Sequence, residues 1–307
     1  MKIPAIEIRG LKKSFEKVQA LDGVDLSIKQ GEFLGLLGPY GAGKTTTINI
    51  LTGLVIRQEG TTKIFGKDTV KDYRFTRSKI GIAAQELSID WFFPVEKLLL
   101  FHAGYYGLPM QQAKKRVDKI IEKLGLGDKK NTRLRQLSGG MKRRYQLAKA
   151  LVHDPEIIIL DEPTAGVDVE LRHELWDYLR KLHRDGKTIL LTTHYIEEAE
   201  LLCERVAIIN KGKIIKDGSP NELTKQLGQS GLTIHLTGWN EEKKNLLDDF
   251  TFSYENGRLH FSVLDPEKDM AAIIKILTKN DCHIQNVKAD KASLEDVFLD
   301  LTGERIN

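Results

Sequence analysis

The sequence predicts an α/β fold: a mixed, largely parallel sheet with an antiparallel β subdomain and a helical subdomain, then a small α+β domain of ferredoxin-like order. Three features predict it. FLGLL runs straight into the glycine-rich stretch GPYGAGKTTT, after which TTINILTGL continues at helical spacing. The apolar runs EIIILDEP, KTILLTT and RVAIIN are short and continuous, as in strands buried on both faces. They alternate with helical stripes, the pattern of a parallel sheet.

Taken in order, residues 5–37 read as strands. Ile6 and Ile8 alternate with Glu7 and Arg9, and VDLSI and FLGLL follow. KIGIAA (Lys79–Ala84) is a further strand. Pro94–Gly107 and Met110–Gly125 read as helices, the second with Val117, Ile120, Ile121 and Leu124 in an apolar stripe. A helix near Glu170–Arg184 and the helix IEEAELL separate the remaining strands. After NELTKQLGQSG the character changes. LTIHLTG is a strand, EEKKNLL a short helix, and FTFSYENGRLHFSVL a hairpin around the Asn256-Gly257 turn signal. EKDMAAIIKILTKN, CHIQNVKA and SLEDVFLDLTG then read as helix, strand and helix. The order β-α-β-β-α-β is the ferredoxin-like split pattern. The expected division is 1–229 for the large domain, with its helical subdomain at about 86–150, and 230–307 for the accessory domain. No motif occurs twice, so the chain is not a tandem repeat.

At 307 residues about two domains are expected. Lys+Arg 47 against Asp+Glu 43 leaves a net charge of +4, too small a bias to argue for nucleic acid as a partner. The basic stretches Lys129–Arg135 and Lys142–Arg144 read as solvated faces. Cys203 and Cys282 lie far apart within apolar segments and make no disulfide or metal framework, which fits a reducing compartment. The most apolar stretch, Trp91–Met110, is interrupted by Glu96, Lys97 and His102, whereas a spanning helix needs about 20 mostly apolar residues. The start alternates like a strand and lacks the apolar block of a signal peptide. A soluble, cytosolic chain is expected.

GPYGAGKT fits G-x-x-x-x-G-K-[ST] between a strand and a helix. Its glycines let successive N–H groups face phosphates, and the helix adds its positive end. Lys44 is suited to reach the β- and γ-phosphates, and the Thr45 hydroxyl to take a place on Mg²⁺. Asp161 emerges at the carboxyl end of a buried strand, where a carboxylate can hold Mg²⁺ through water. Glu162 follows, placed to orient or deprotonate an attacking water. His194 ends another apolar strand, a setting where a lone histidine is more often a hydrogen-bonded structural residue than a catalytic one. LSGGMKRR admits two readings. Ser138 caps a helix whose apolar positions are Met141, Tyr145, Ala148 and Val152, while Gly139 and Gly140 bare its backbone. That is either a second anion site or a glycine-assisted helix start.

GPYGAGKTT, LSGGM, IIILDEPTAGVD and TTH, in this order, resemble the nucleotide-binding subunits of ATP-binding cassette (ABC) transporters, over roughly residues 5–225. The resemblance implies a P-loop NTPase of the ABC cassette fold, with ATP and Mg²⁺ as cofactors and hydrolysis coupled to transmembrane transport. It implies that Gly38, Pro39, Tyr40, Gly41, Ala42, Gly43, Lys44, Thr45 and Thr46 hold the phosphates, and that Phe15 stacks on adenine. Gln85 is the glutamine that touches Mg²⁺ and the water, and His194 the switch histidine on the γ-phosphate. Ser138, Gly139 and Gly140 complete the ATP site of an opposite subunit, with Asp168 at the dimer interface. Partners are therefore a second cassette and a separate multi-spanning permease, on the inner face of the cell membrane. Tyr40 departs from the family's usual Asn or Ser. Because the loop works through backbone N–H groups, ATP binding is expected to survive it.

LSGGMKRR, TAGVDVELR, TTHYIEEAELLCERVAIINKGKI and SLEDVFLDLTGE are most similar to the ATPases of type 2 ABC exporters, a group associated with drugs, antibiotics and polysaccharides. The aromatic-rich segment Trp91–Tyr106 falls where permease helices dock, with about half of its side chains read as subdomain core. A soluble ABC protein acting on ribosomes or DNA is the alternative, but this chain has neither two cassettes nor a long coiled coil. A single-site P-loop kinase or GTPase would leave LSGGM unexplained.

Overall fold

IEIRGLKKSF and VQALDGVDLSI form two long antiparallel strands, β1 (Ile6–Phe15) and β2 (Val18–Ile28), because one face of each carries residues such as Ile6, Ile8, Leu11, Leu21 and Val24 into a core. The computed structural model describes residues 3–84, 92–226, 230–255, 257–263, 266–290 and 293–303. The chain divides into two units between Asp217 and Gly218.

In the first unit β3 (Phe33–Leu37) is buried at all five positions and leads through the glycine loop into α1 (Lys44–Thr52). β4 (Glu59–Ile64) and β5 (Lys67–Asp68) join β1 and β2 in an antiparallel sheet of order β2-β1-β4-β5. After α2 (Tyr73–Ser78) and β6 (Ile80–Ala83) come α3 (Val95–Tyr105) and α4 (Met110–Lys123), whose buried faces are Val95, Leu99, Ala103 and Ala113, Val117, Ile121. α5 (Gly139–Leu151) starts at the Ser-Gly-Gly turn and ends against β6. A Cβ on Gly81 would lie 2.0 Å from the Ala150 carbonyl oxygen, so only glycine lets helix and strand approach this closely. β7 (Ile157–Asp161), α6 (Val169–Arg184), β8 (Thr188–Thr193), α7 (Ile196–Leu202), β9 (Arg205–Asn210) and β10 (Lys213–Gly218) complete the unit. The second sheet runs β10-β9-β3-β8-β7-β6, and its pairs β9/β3, β3/β8, β8/β7 and β7/β6 are parallel. The carboxyl ends of β3, β8, β7 and β6 thus lie side by side, where open α/β sheets keep their ligands.

The second unit starts with α8 (Pro220–Gln226), upstream of the expected boundary at 229/230. The reason is packing: α8 lies against the last helix of its own unit, and its Leu223 is buried. β11 (Ser230–Thr237), β12 (Thr251–Glu255), β13 (Arg258–Val263), α9 (Pro266–Lys279), β14 (His283–Asp290) and α10 (Leu294–Thr302) follow. The sheet order β12-β13-β11-β14, antiparallel throughout, is the ferredoxin-like arrangement. EEKKNLL is a 3₁₀ helix rather than an α-helix.

Near the junction of α3 with α5, Tyr106 and His153 stack at 3.6 Å with 6° between their planes, and His102 lies 5.2 Å from Tyr106. Burial is the main cause that pushes both imidazoles from 6.5 down to about 4. The unfolded chain takes up these protons near pH 6.5, the folded chain only near pH 4. Their stabilising contribution is therefore complete above about pH 6.5 and is lost as pH falls toward 4. Thermal unfolding from pH 7 to 4.5 is expected to show a falling midpoint. His153→Gln, which removes one of the two groups, makes that slope shallower.

Candidate functional site

The glycine loop connects β3 to α1 and is built for close backbone approach. A Cβ on Gly38 would stand 2.4 Å from the Ile209 carbonyl oxygen. Gly43, at φ 112°, would meet the Ala20 carbonyl oxygen at 2.8 Å. Lys44 is buried and its Nζ donates to the carbonyls of Gly38 at 2.6 Å and Pro39 at 3.1 Å, which holds the loop curled. Burial lowers its pKa, and the nearby carboxylates of Glu162 and Asp161 oppose the shift. Ala42 is buried, Gly41 and Thr45 are exposed, and Thr46 is half-buried. Tyr40 projects outward, 73% exposed. Its ring centroid is 5.5 Å from that of His194, and Lys44 Nζ lies 5.8 Å from it.

Asp161 is the last residue of β7, paired with Thr192 of β8, whose hydroxyl donates to Asp161 Oδ1 at 2.5 Å. Glu162 is also buried and adopts a left-handed backbone, φ 49°, which costs of order 1 kcal/mol for a non-glycine residue. Its N–H donates to both the carbonyl oxygen (3.0 Å) and the hydroxyl (3.2 Å) of Thr192, and these bonds hold the bend. His194 follows β8 directly, buried, with Nδ1 3.3 Å from Glu162 Oε1. Phosphate loop, paired carboxylates and histidine are thereby collected at the ends of three adjacent strands. Gln85 lies outside the described residues, as does Trp91. Phe15 ends β1 and is 44% exposed, unlike a core strand residue, with Lys13 Nζ 5.0 Å from its ring centroid.

The Ser-Gly-Gly turn faces elsewhere. Ser138 caps α5, its Oγ accepting from the Met141 N–H at 3.3 Å. A Cβ on Gly140 would lie 2.4 Å from Leu171 Cδ2, so this glycine lets α5 start against α6. Nothing approaches within 4 Å of the corresponding position on Gly139. Asp168 caps α6, its Oδ1 accepting from the Leu171 N–H at 2.9 Å. Ser138, Gly139, Gly140, Gly166 and Asp168 line one cleft of about 670 Å³, whose lining contains no residue of the phosphate loop.

Two site features escaped the sequence. The triplet Lys142–Arg144 reads as a solvated face, yet Arg143 is buried beneath the carboxylate loop. Glu198 of α7 is fully buried, and Oε1 accepts from Thr164 Oγ1 at 3.1 Å and Trp176 Nε1 at 3.0 Å. Burial raises its pKa. It ties the segment after Glu162 to the helix after His194. The only signal for either is a charged residue at an inward helical position.

The sequence family described as ABC transporter matches residues 21–165. That of the ATP-binding protein DrrA1-3-like, C-terminal domain, matches residues 218–302. The chain is 38% identical over 306 residues to the Nod factor export ATP-binding protein I of Paraburkholderia xenovorans (strain LB400), covering 98% of both chains. It is 32% identical over 308 residues to the linearmycin resistance ATP-binding protein LnrL of Bacillus subtilis (strain 168), covering 98% and 99%. Among solved structures, a dimeric ATP-binding cassette in a post-hydrolysis state with ADP and Pi superposes with a TM-score of 0.65 at 28% identity, over 70% of this chain and 98% of that one. An ATP-binding subunit of an ABC transporter gives a TM-score of 0.68 at 25% identity, over 73% and 93%. With its phosphate loop, carboxylate pair and separate Ser-Gly-Gly cleft on this fold, the chain belongs to the ABC transporter family, as an ATP-binding and ATP-hydrolysing subunit.

Proposed function

We propose that this chain is the ATPase motor of an exporter, working as a head-to-tail pair beneath a separate multi-spanning permease on the inner face of the cell membrane. One observation carries the pairing: phosphate loop and Ser-Gly-Gly cleft are distinct surfaces of one chain. A nucleotide on Lys44 is completed by the Ser138–Gly140 turn of a second copy, and an isologous pair satisfies both surfaces at once. The open space beside Gly139 suits that arrival. Export is the activity named for the Nod factor relatives, and linearmycin resistance that named for the Bacillus subtilis relative. Their full-length match does not favour a soluble ABC ATPase acting on ribosomes or DNA. No helix among the described residues is long and apolar enough to cross a membrane; in this reading the membrane path is the permease's. In the Trp91–Tyr106 segment, Val95, Leu99 and Ala103 form core, whereas Phe92, Phe101 and Tyr105 are exposed and form the docking face.

In the proposed site the loop N–H groups and Lys44 bind the phosphates, and Phe15 stacks on adenine. Mg²⁺ fits the donor set. Exposed Thr45 and Asp161, whose carboxylate is oriented by Thr192, are hard oxygen ligands, and an ion that takes its other ligands from phosphates and water needs no larger protein cage. When bound, the ion neutralises charge between phosphate oxygens. Glu162 orients and deprotonates the water, and His194 reads the γ-phosphate. Gln85 would join the ion and the water. Asp168 lies at the seam between the copies.

The pairing is tested with Ser138→Arg in a Glu162→Gln background. The slow background is expected to accumulate an ATP-bound dimer, and the added cation, standing where the partner's γ-phosphate lands, to abolish it. ATP binding by the monomer persists. Light scattering with and without ATP reads the first, calorimetry the second. Loss of ATP binding by the Ser138→Arg monomer would assign the turn to its own site and overturn the pairing.

A further inference from the structure

Arg143 stands on the second turn of α5, beyond the Ser138–Gly140 turn that starts the same helix. Its guanidinium is buried, and its backbone acceptors lie at or just beyond the carboxyl ends of two different strands. Nε donates to the Pro163 carbonyl. One terminal nitrogen donates to the carbonyls of Glu162 and, at 3.0 Å, Asp161. The other donates to the Ala84 carbonyl at 3.3 Å and to Gln146 Oε1 at 2.7 Å. Gln146 Nε2 repeats the hold on Ala84 at 2.8 Å. Among the described residues the group gains no carboxylate partner at hydrogen-bond distance for the loss of water, and burial pulls its pKa down to about 10. A buried cation spent on carbonyls is costly unless their position matters.

Those carbonyls belong to the segment that carries Asp161 and Glu162 and to the residue just before Gln85. The left-handed bend at Glu162 is thus held from both sides, by Thr192 through its N–H and by Arg143 through its carbonyl. At the other end, the start of α5 is pinned by Gly140 against Leu171 and by Ser138 as cap. α5 therefore connects the turn to the carboxylate loop through contacts at both places.

We propose that Arg143 is a positioning residue that couples the Ser138–Gly140 turn to the Asp161–Glu162 loop of the same chain. Contact of that turn with a partner's ATP is thereby transmitted to the carboxylate acting on this chain's own ATP. The proposal rests on the head-to-tail reading above and deepens it. Arginine is required because its planar fork spans several carbonyls, whereas lysine offers one point of donation.

The test compares Arg143→Lys with its parent in the full-length chain, and Arg143→Met as a second variant of similar reach. Two backgrounds are used, with Glu162 intact and with Glu162→Gln. ATP affinity of the monomer within about twofold of the parent certifies folding and an intact phosphate loop. With Glu162 intact, kcat is expected to fall about 10–100-fold, the range for a misplaced reacting group. In the Glu162→Gln background, the ATP concentration at half-maximal dimerisation is expected to rise about tenfold or more. A role confined to local packing of the chain's own site would not move that second midpoint. If either variant binds ATP normally and dimerises at the parental midpoint, the coupling is overturned. If the Glu162→Gln parent itself forms no ATP-dependent dimer, the head-to-tail reading fails instead.

Discussion

Glu162→Gln is expected to lower ATP turnover by about 10²–10⁴-fold, the usual contribution of a positioned general base, while ATP binding persists. The amide keeps the size of the carboxylate and most of its hydrogen bonding, and the backbone bend is held through main-chain atoms, by the N–H bonds to Thr192. What is lost is the charge that, in the proposed site, orients and activates water. Turnover at saturating ATP and equilibrium binding, measured on the same preparation, separate the two effects. A variant that turns over normally would remove Glu162 from the chemistry.

Lys44→Ala acts one step earlier. It removes the buried ammonium that balances Asp161 and Glu162 and that, in the proposed site, faces the phosphates. Two carboxylates then stand opposite a polyanion without their counter-charge. Charge-assisted hydrogen bonds contribute about 1.5–3 kcal/mol each, so ATP affinity is expected to weaken about 10–100-fold. Most turnover should vanish even at high ATP, because the same ammonium stabilises charge on the transferring phosphoryl group. The loop itself loses its ties to the Gly38 and Pro39 carbonyls, so a modest loss of thermal stability accompanies the change. Normal turnover at low ATP would sink the assignment of this loop to phosphate.

The local parts of the site were legible in the sequence because each is a contiguous piece of chemistry. GPYGAGKT prescribes a backbone path between a strand and a helix, and glycine at 38 and 43 is the only residue type that path admits. IIILDE prescribes a buried strand that delivers carboxylates at its carboxyl end. Ser138 and the stripe Tyr145, Ala148 and Val152 prescribe where α5 starts and which side it buries. In the second unit, strand patterning and one Asn-Gly turn sufficed for the split β-α-β-β-α-β order.

What tertiary structure alone decided are the relations between such pieces. Whether a basic triplet is solvated or buried depends on what packs over it, and the backbone carbonyls that accept from Arg143 lie 18–59 residues away in sequence. By sequence the segment of α8 falls to the large domain, because its few apolar positions acquire meaning only against α10, at the far end of the chain. The left-handed Glu162 is held by Thr192 on the neighbouring strand, which accepts its N–H, and by Arg143, which donates to its carbonyl. That the Ser-Gly-Gly turn opens away from the phosphate loop, into a cleft with Asp168, follows from the packing of α5 on α6 through Gly140 and Leu171. Sequence pattern determines conformations with a short-range cause. Side-chain partners from distant strands and helices are chosen by the closing of the core, and only the folded chain reveals them.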